Sequence, residues 1–354
     1  MRTANHTDER TNARSPKIKS CQLPIPELNA ELCRHHDKIA LSLMPRNYTL
    51  PFLLAYLSFL LPSCEEPIEL DLDEKARLVV ISNFSDKNEL QVVVSKTKSV
   101  LSADSVDYVT DASVMVFADN ELIELLELVP ANPIKNTPPH YRTNNLTPEI
   151  GKAYDITVSV PGFSLVTASN SIPVAVPIQS VEFSNTVSDG ENNQEVIQFN
   201  VSVTIDDPAG FENFYHLVFY PELYRLSQSP EADTIFQIAS TLETVSDNVG
   251  FPVLKHFDNH SFLFNDQTFE GKSKTLSFSG QYSYEKGQLF PGDFFLELRS
   301  VSEDYFYYHW TLTKQVNDGR QPVPGGVVVK GNIENGEGIF AGFSSFNRSF
   351  NIYN

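Results

Sequence analysis

Several stretches carry side chains whose types and spacing suit chemistry. His256-Phe-Asp-Asn-His260 sets two imidazoles four residues apart, the spacing that on a helix would aim both at one zinc ion. Here the pair lies in a loop-like, Asn- and Asp-rich stretch with no glutamate base, so the metalloprotease reading fails and surface histidines are expected. Asp71/Asp73 and Asp206/Asp207 offer carboxylate oxygens, but neither pair sits in a full loop of calcium ligands. Gly331 to Gly342 is glycine-rich without the lysine or the strand-to-helix setting of a phosphate loop, and its glycines suit tight turns and close chain approach. Cys21, Cys33, His35 and His36 fit no zinc spacing, and no Gly-x-Ser-x-Gly elbow is present. The chain is therefore read as a binding protein, not an enzyme, with no metal and no cofactor.

Cys64 stands at a sharp boundary. Before it, Leu50 to Leu61 is an apolar run of about twelve residues, which as a helix would rise roughly 18 Å against a hydrocarbon layer of roughly 30 Å. After it come Glu65, Glu66, Glu69, Asp71, Asp73 and Glu74. Arg46 precedes the apolar run, so the order is that of a secretory signal peptide, and Leu61-Pro62-Ser63-Cys64 resembles a bacterial lipobox, although Pro62 is unusual there. In such a motif the thiol takes a diacylglycerol as a thioether, and each buried methylene adds about 0.8 kcal/mol of membrane affinity. Two or more chains on Cys64 would hold the protein on a bilayer. Residues 1–43 then read as an over-extended N-terminus ahead of a start at Met44, 44–63 as a lipoprotein signal peptide, and 64–75 as an acidic tether. Cys64 is the last of the three cysteines, so the chain from there on cannot form an internal disulfide.

These residues need a scaffold, and its pattern is β. A formal net charge of −19 disfavours nucleic acid as a partner. Ala76–Phe84, Glu89–Lys96 and Ala112–Asn120 read as strands; so does Tyr154–Val160, where Tyr154, Ile156, Val158 and Val160 alternate with polar residues. Short strands with no helix between them point to a sandwich of immunoglobulin or fibronectin type over 76–178. Pro173 and Pro177 favour an extended link into a second β-rich domain over 179–354. There, Ile197 to Ile205 alternates, Asp206 to Gly210 turns the chain, and Phe214–Tyr220 returns. The expectation is a mainly β chain of two sandwich-like domains, with one aromatic-rich helix in the second.

That helix is Ser302–Gly319, with Ser302 as its cap, Glu303 and Asp304 at the positive end of its dipole, and Gly319 as its stop. It carries the densest aromatic cluster in the chain. Tyr307, His309 and Trp310 are candidate contacts for a ligand or partner. The favoured alternative is packing against the sheet, through a stripe of Tyr305, Tyr308 and Leu312 and an adjacent one of Phe306 and Trp310.

The acidic start after Cys64, DDPAGFENFYHLVF, LRSVSEDYFYY and GNIENGEGIFAGFSS together resemble a family of uncharacterised outer-membrane lipoproteins from Bacteroidetes, a domain of unknown function often encoded beside TonB-dependent receptors. Glu337 departs from the apolar residue expected in the last of these. The resemblance implies a location on the outer membrane, held in lipid through Cys64 and facing the cell exterior, with a receptor barrel as partner. It also gives Glu65, Glu66, Glu69, Asp71, Asp73 and Glu74 the sense of an export signal for the outer face. The expected role is an accessory subunit of a TonB-dependent transporter; the alternative is a free-standing surface adhesin or structural lipoprotein.

Overall fold

The structure, a computed structural model, describes residues 75–98, 105–133, 136–225, 234–237, 241–244, 252–318 and 327–351. Cys64, the signal peptide and the acidic residues Glu65 to Glu74 lie outside the described residues, as does Gly319. All described residues belong to one compact unit.

The chain is mainly β. In order come β1 (Leu78–Ser85), β2 (Gln91–Lys96), β3 (Ser113–Ala118), β4 (Glu121–Leu125), β5 (Glu127–Val129), β6 (His140–Arg142), β7 (Ala153–Ser159), β8 (Val166–Ser171) and β9 (Ile178–Asp189). Then follow β10 (Gln194–Asp206), β11 (Phe214–Arg225), β12 (Thr234–Gln237), β13 (Thr241–Thr244), β14 (Val253–Lys255), β15 (Ser261–Asn265), β16 (Ser273–Glu285) and β17 (Phe290–Val301). Helix α1 (Glu303–Asp318) and β18 (Glu337–Asn351) complete the fold, and α1 is the one helix among the described residues. It is not long and apolar enough to cross a membrane.

A ten-stranded sheet, ordered β14-β15-β11-β17-β18-β1-β2-β6-β5 with β12 beside β11, forms the backbone of the molecule. Two four-stranded sheets, β13-β16-β10-β9 and β4-β3-β7-β8, pack on it. Period-two alternation decides which side chains go where. Tyr215, Leu217 and Phe219 of β11, Phe262 and Phe264 of β15, and Phe294, Leu296 and Leu298 of β17 meet Ile197, Phe199, Val201 and Val203 of β10 in one core. Val80 and Phe84 of β1 and Val92 and Val94 of β2 meet Val114 and Val116 of β3 and Tyr154, Ile156 and Val158 of β7 in a second. Apart from Phe340 of the last strand, the members of the two cores divide between Ile172 and Val176, at the Pro173–Pro177 link, yet the large sheet runs through both.

Strand β18 makes that continuity. It lies parallel to β1, with Ile81 opposite Ile339, and antiparallel to β17, with Leu298 opposite Phe346. Phe340 enters one core while Phe346 and Phe350 pack on the other. The second half of the glycine-rich segment, from Glu337, thus opens a 15-residue strand. Its glycines serve close approach: a Cβ on Gly338, at φ +109, would stand 2.1 Å from the Val80 carbonyl oxygen, and one on Gly342 would stand 2.4 Å from that of Ser171. Glu337 pairs with Arg77, which explains a charge at the strand's exposed start.

Ile81, Ile339, Ala341, Phe343, Phe214, Leu263 and Val301 occupy the opposite face of the large sheet, where α1 covers them with Tyr305 and Phe306. The Ser302 hydroxyl accepts the Tyr305 N–H as an N-cap. Asp304 in the first turn takes bonds from Asn170 and Asn332, whose own amides hold the backbone of Gly342 and Phe340. The helix is therefore pinned to β8 and β18 at once.

Phe294 is fully buried and its ring lies 4.8–5.9 Å from Phe183, Phe199, Phe219, Tyr282 and Phe350. Phe294→Ala should lower the unfolding free energy by about 3–5 kcal/mol, whereas Phe211→Ala, at a site 75% exposed, should change it by less than about 0.5 kcal/mol. Urea denaturation of the two variants makes the comparison.

Candidate functional site

Beneath α1 the helix-facing positions of the sheet are not all apolar. Asn83 of β1, His216 of β11, Glu297 and Arg299 of β17, and Ser261 of β15 join His256 and Asp258 of the β14–β15 turn. From the helix, Tyr305 and His309 meet them, four residues apart and so on one face. His216, His256 and His309 are 3%, 5% and 9% exposed. Three buried histidine rings lie together here, at centroid separations of 5.1–6.1 Å.

The hydrogen bonds run as two arms that converge on Asp258. In the first, Arg299 Nη1 donates to the Tyr305 oxygen at 3.4 Å, and the Tyr305 hydroxyl donates to His216 Nδ1 at 3.0 Å. His216 Nε2–H then donates to Ser261 Oγ at 2.7 Å, and Ser261 donates to both Asp258 oxygens at 2.8–2.9 Å. In the second, the Asn83 amide donates to His309 Nε2 at 3.3 Å, and His309 Nδ1–H donates to His256 Nε2 at 3.2 Å. That tautomer is assigned from the network, because each donor must meet an acceptor. It leaves His256 Nδ1–H facing Asp258 Oδ2 at 2.9 Å. The oxygen lies off the N–H direction, however, so this buried nitrogen makes no hydrogen bond of ordinary geometry.

Electrostatics follow from burial. Burial first, then the Arg299 charge and the neighbouring imidazoles, lowers His216 well below the usual histidine value. Burial, followed by His256 and Arg299, brings His309 down to about 3. Both rings are therefore neutral at physiological pH, as the two arms require. Burial opposes ionisation of Asp258, but the close His256 ring, the His260 N–H and the Ser261 hydroxyl outweigh it and hold the carboxyl at about 2. Burial also keeps the Tyr305 hydroxyl protonated. Arg299, bound twice by Glu297 at 2.7 and 2.9 Å, is a paired charge.

The aromatic residues singled out in the sequence separate. His309 turns inward to the network, and the buried stripe of α1 is Tyr305, His309 and Thr313 with Phe306 beside it. Tyr307 and Trp310 are half-buried around Phe306, at 5.5 and 5.2 Å, with Lys330 over Tyr307 and Lys314 over Trp310. Of the His256/His260 pair, expected at the surface, His256 is buried, because the β14–β15 turn folds under the helix; His260 is half-buried, 5.3 Å from the Tyr220 ring. His216 and Ser261 carry no local motif. The signal that could have found them is polar residues at strand positions facing a helix whose own inward stripe is polar.

Asp207 is also accounted for. It accepts from the Tyr215 hydroxyl and from the Gly271 N–H, which fastens the β10–β11 turn to the β15–β16 turn. Nearby Asp266 accepts the Asn213 N–H at 2.8 Å, while burial and the charges of Asp207 and Glu212 push it up to about 6. A cavity of about 720 Å³ opens between the Pro173–Pro177 link, the β10–β11 turn and the start of α1, with Val174 and Phe211 exposed at its edge.

The buried histidines set a pH dependence. In the unfolded chain both titrate near 6.5, but the folded state holds them neutral well below that, so the unfolded state binds more protons as pH falls. Their contribution is fully present above about 6.5 and is lost below it at about 1.4 kcal/mol per pH unit for each ring. Asp266, raised in the folded state, acts in the opposite sense between about 4 and 6 and offsets part of the loss. His309→Gln should therefore remove about 2 kcal/mol of the fall in stability between pH 7 and pH 5, an average of roughly 0.7 proton. Urea midpoints at the two pH values measure it, and an unchanged slope would refute neutral burial of His309.

No curated protein matches the chain. Among solved structures, a chain from a study titled "Chaperone-tip adhesin complex is vital for synergistic activation of CFA/I fimbriae biogenesis" is 8% identical over 64% of this chain and 85% of that one, at a TM-score of 0.20. That score is too low to bear on function. Residues 65–349 match the family described as a domain of unknown function, DUF4249, and the chain belongs to that family.

Proposed function

We propose that this chain is a lipid-anchored binding protein of the outer membrane, facing the cell exterior and serving as accessory subunit of a TonB-dependent transporter. The observation that carries the reading is Leu61-Pro62-Ser63-Cys64, set between an apolar run preceded by Arg46 and a cluster of six acidic residues. A thiol at that junction is the nucleophile a thioether lipid needs, and two or more acyl chains there would give stable anchoring. The start of the family match at Glu65, directly after the cysteine, supports taking Cys64 as the first residue of the mature protein. The extended sheets beyond the tether support a binding role, because they offer large faces and edges for a partner.

Cys64→Ala should abolish labelling by a radioactive fatty acid and release the protein from membranes; a variant still labelled and still retained would sink the anchor. Purification of the tagged native protein in mild detergent, after crosslinking, should recover a receptor barrel in near-equal amount. Recovery of the lipoprotein alone would favour the free-standing adhesin instead.

A further inference from the structure

We propose that His216, His256 and Asp258 form a binding site for a divalent transition-metal ion, zinc being the species expected. The proposal is independent of the lipid anchor. One ligand atom from each of the three lies within 4.8 Å of the others, and no other group of this kind occurs among the described residues. Ligands about 2.0–2.2 Å from a tetrahedral ion stand roughly 3.3–3.6 Å apart, so the site needs a contraction of the order of 1 Å. The β14–β15 turn can provide it, since His216 is fixed in the middle of the large sheet while Asp258 sits in a turn beside Asn259, at φ +64.

Three observations point to a cation. First, His256 Nδ1 is buried, aimed toward the Asp258 carboxylate and without a hydrogen bond of proper geometry. A cation bound by the nitrogen lone pair and the carboxylate satisfies the nitrogen, which the misaligned proton does not; the carboxylate already accepts from Ser261 and the His260 N–H.

Second, the outer partners are those that ligating histidines need. A histidine bound to metal through one nitrogen is oriented by a hydrogen bond at the other. His216 has Tyr305 at 3.0 Å on its remote nitrogen, and His256 has His309 at 3.2 Å on its own. With the ion bound, each ligating imidazole carries a single proton, on its remote nitrogen: Nδ1 of His216 and Nε2 of His256. His309 passes its proton from Nδ1 to Nε2, the Asn83 amide turns to present its oxygen to that N–H, the Tyr305 hydroxyl turns to accept from His216 Nδ1–H, and the rings release no net proton. The Ser261 oxygen, 2.7 Å from His216 Nε2 and 2.8–2.9 Å from Asp258, is placed to fill a fourth position.

Third, charge and access agree. Asp258 and Glu297 supply two negative charges against the single positive charge of Arg299. The Asp258 side chain is 28% exposed, so an ion can enter through the turn. Two imidazoles and one carboxylate are donors suited to zinc.

The test uses the full chain, stripped with chelator and equilibrated in zinc-buffered solution, with metal content by mass spectrometry and thermal melting as readouts. Wild type should hold one zinc more per chain than Asp258→Asn or His256→Gln, with affinity loss in the variants beyond the roughly 10–100-fold that removing an outer partner costs. Zinc should raise the melting temperature of wild type and of His260→Gln, but not of the other two. Because both readouts are differences between variants, zinc held elsewhere by Cys21, Cys33, His35 or His36 cancels. Equal zinc content in wild type and Asp258→Asn, or no melting shift in wild type, overturns the site. Should the variants fail to fold, cobalt(II) added to wild type decides: tetrahedral nitrogen/oxygen absorption bands support the site, and their absence, or sulfur charge-transfer bands alone, overturns it.

Discussion

The insertion of β18 between β17 and β1 is the constraint on which the rest of the molecule depends. Strands at the two ends of the described chain are joined there by a parallel ladder, which cannot form until nearly the whole chain has been laid down. Without it, β1 and β2 would form one sheet, β11, β15 and β17 another, and each would expose an unpaired edge. Gly338 and Gly342 let the strand come close enough to Val80 and Ser171 for that pairing.

Once β18 is in place, the two faces of the large sheet acquire different chemistry. One face carries both four-stranded sheets on apolar side chains, with interlocked aromatic rings from Phe183 to Phe350. The other receives α1, which shields a smaller apolar cluster and a polar network from water. Burying so many polar groups is tolerable because nearly every donor meets an acceptor in a directed chain, from Arg299 and Asn83 toward Asp258. The one misaligned member, His256 Nδ1, is for that reason the most informative atom of the group.

The proposed anchor and the histidine network differ in how far apart in sequence their parts lie. Cys64 is read from local order alone, apolar then acidic, and needs no tertiary contact to be recognised. The network is built from five strands or turns and a helix, and its members span residues 83 to 309, so no window of sequence contains it.

Much of the fold was legible in single segments. Alternation in Tyr154–Val160 and in Ile197–Ile205 marked strands whose odd and even residues do separate into buried and wet faces, because one sheet face alone is covered. Ser302 marked the start of α1 through a local capping bond. By contrast, β18 hid behind its glycines, which suited tight turns as well as close approach until a neighbouring strand supplied the reason for them. His256 looked like a surface histidine because its polar neighbours describe a turn, and only packing places that turn under a helix. Sequence by itself determined the strand periodicity, the helix and the candidate lipid site, since each rests on neighbours a few residues apart. The tertiary structure decided which polar residues are buried together, because that depends on strand order and on what covers each face.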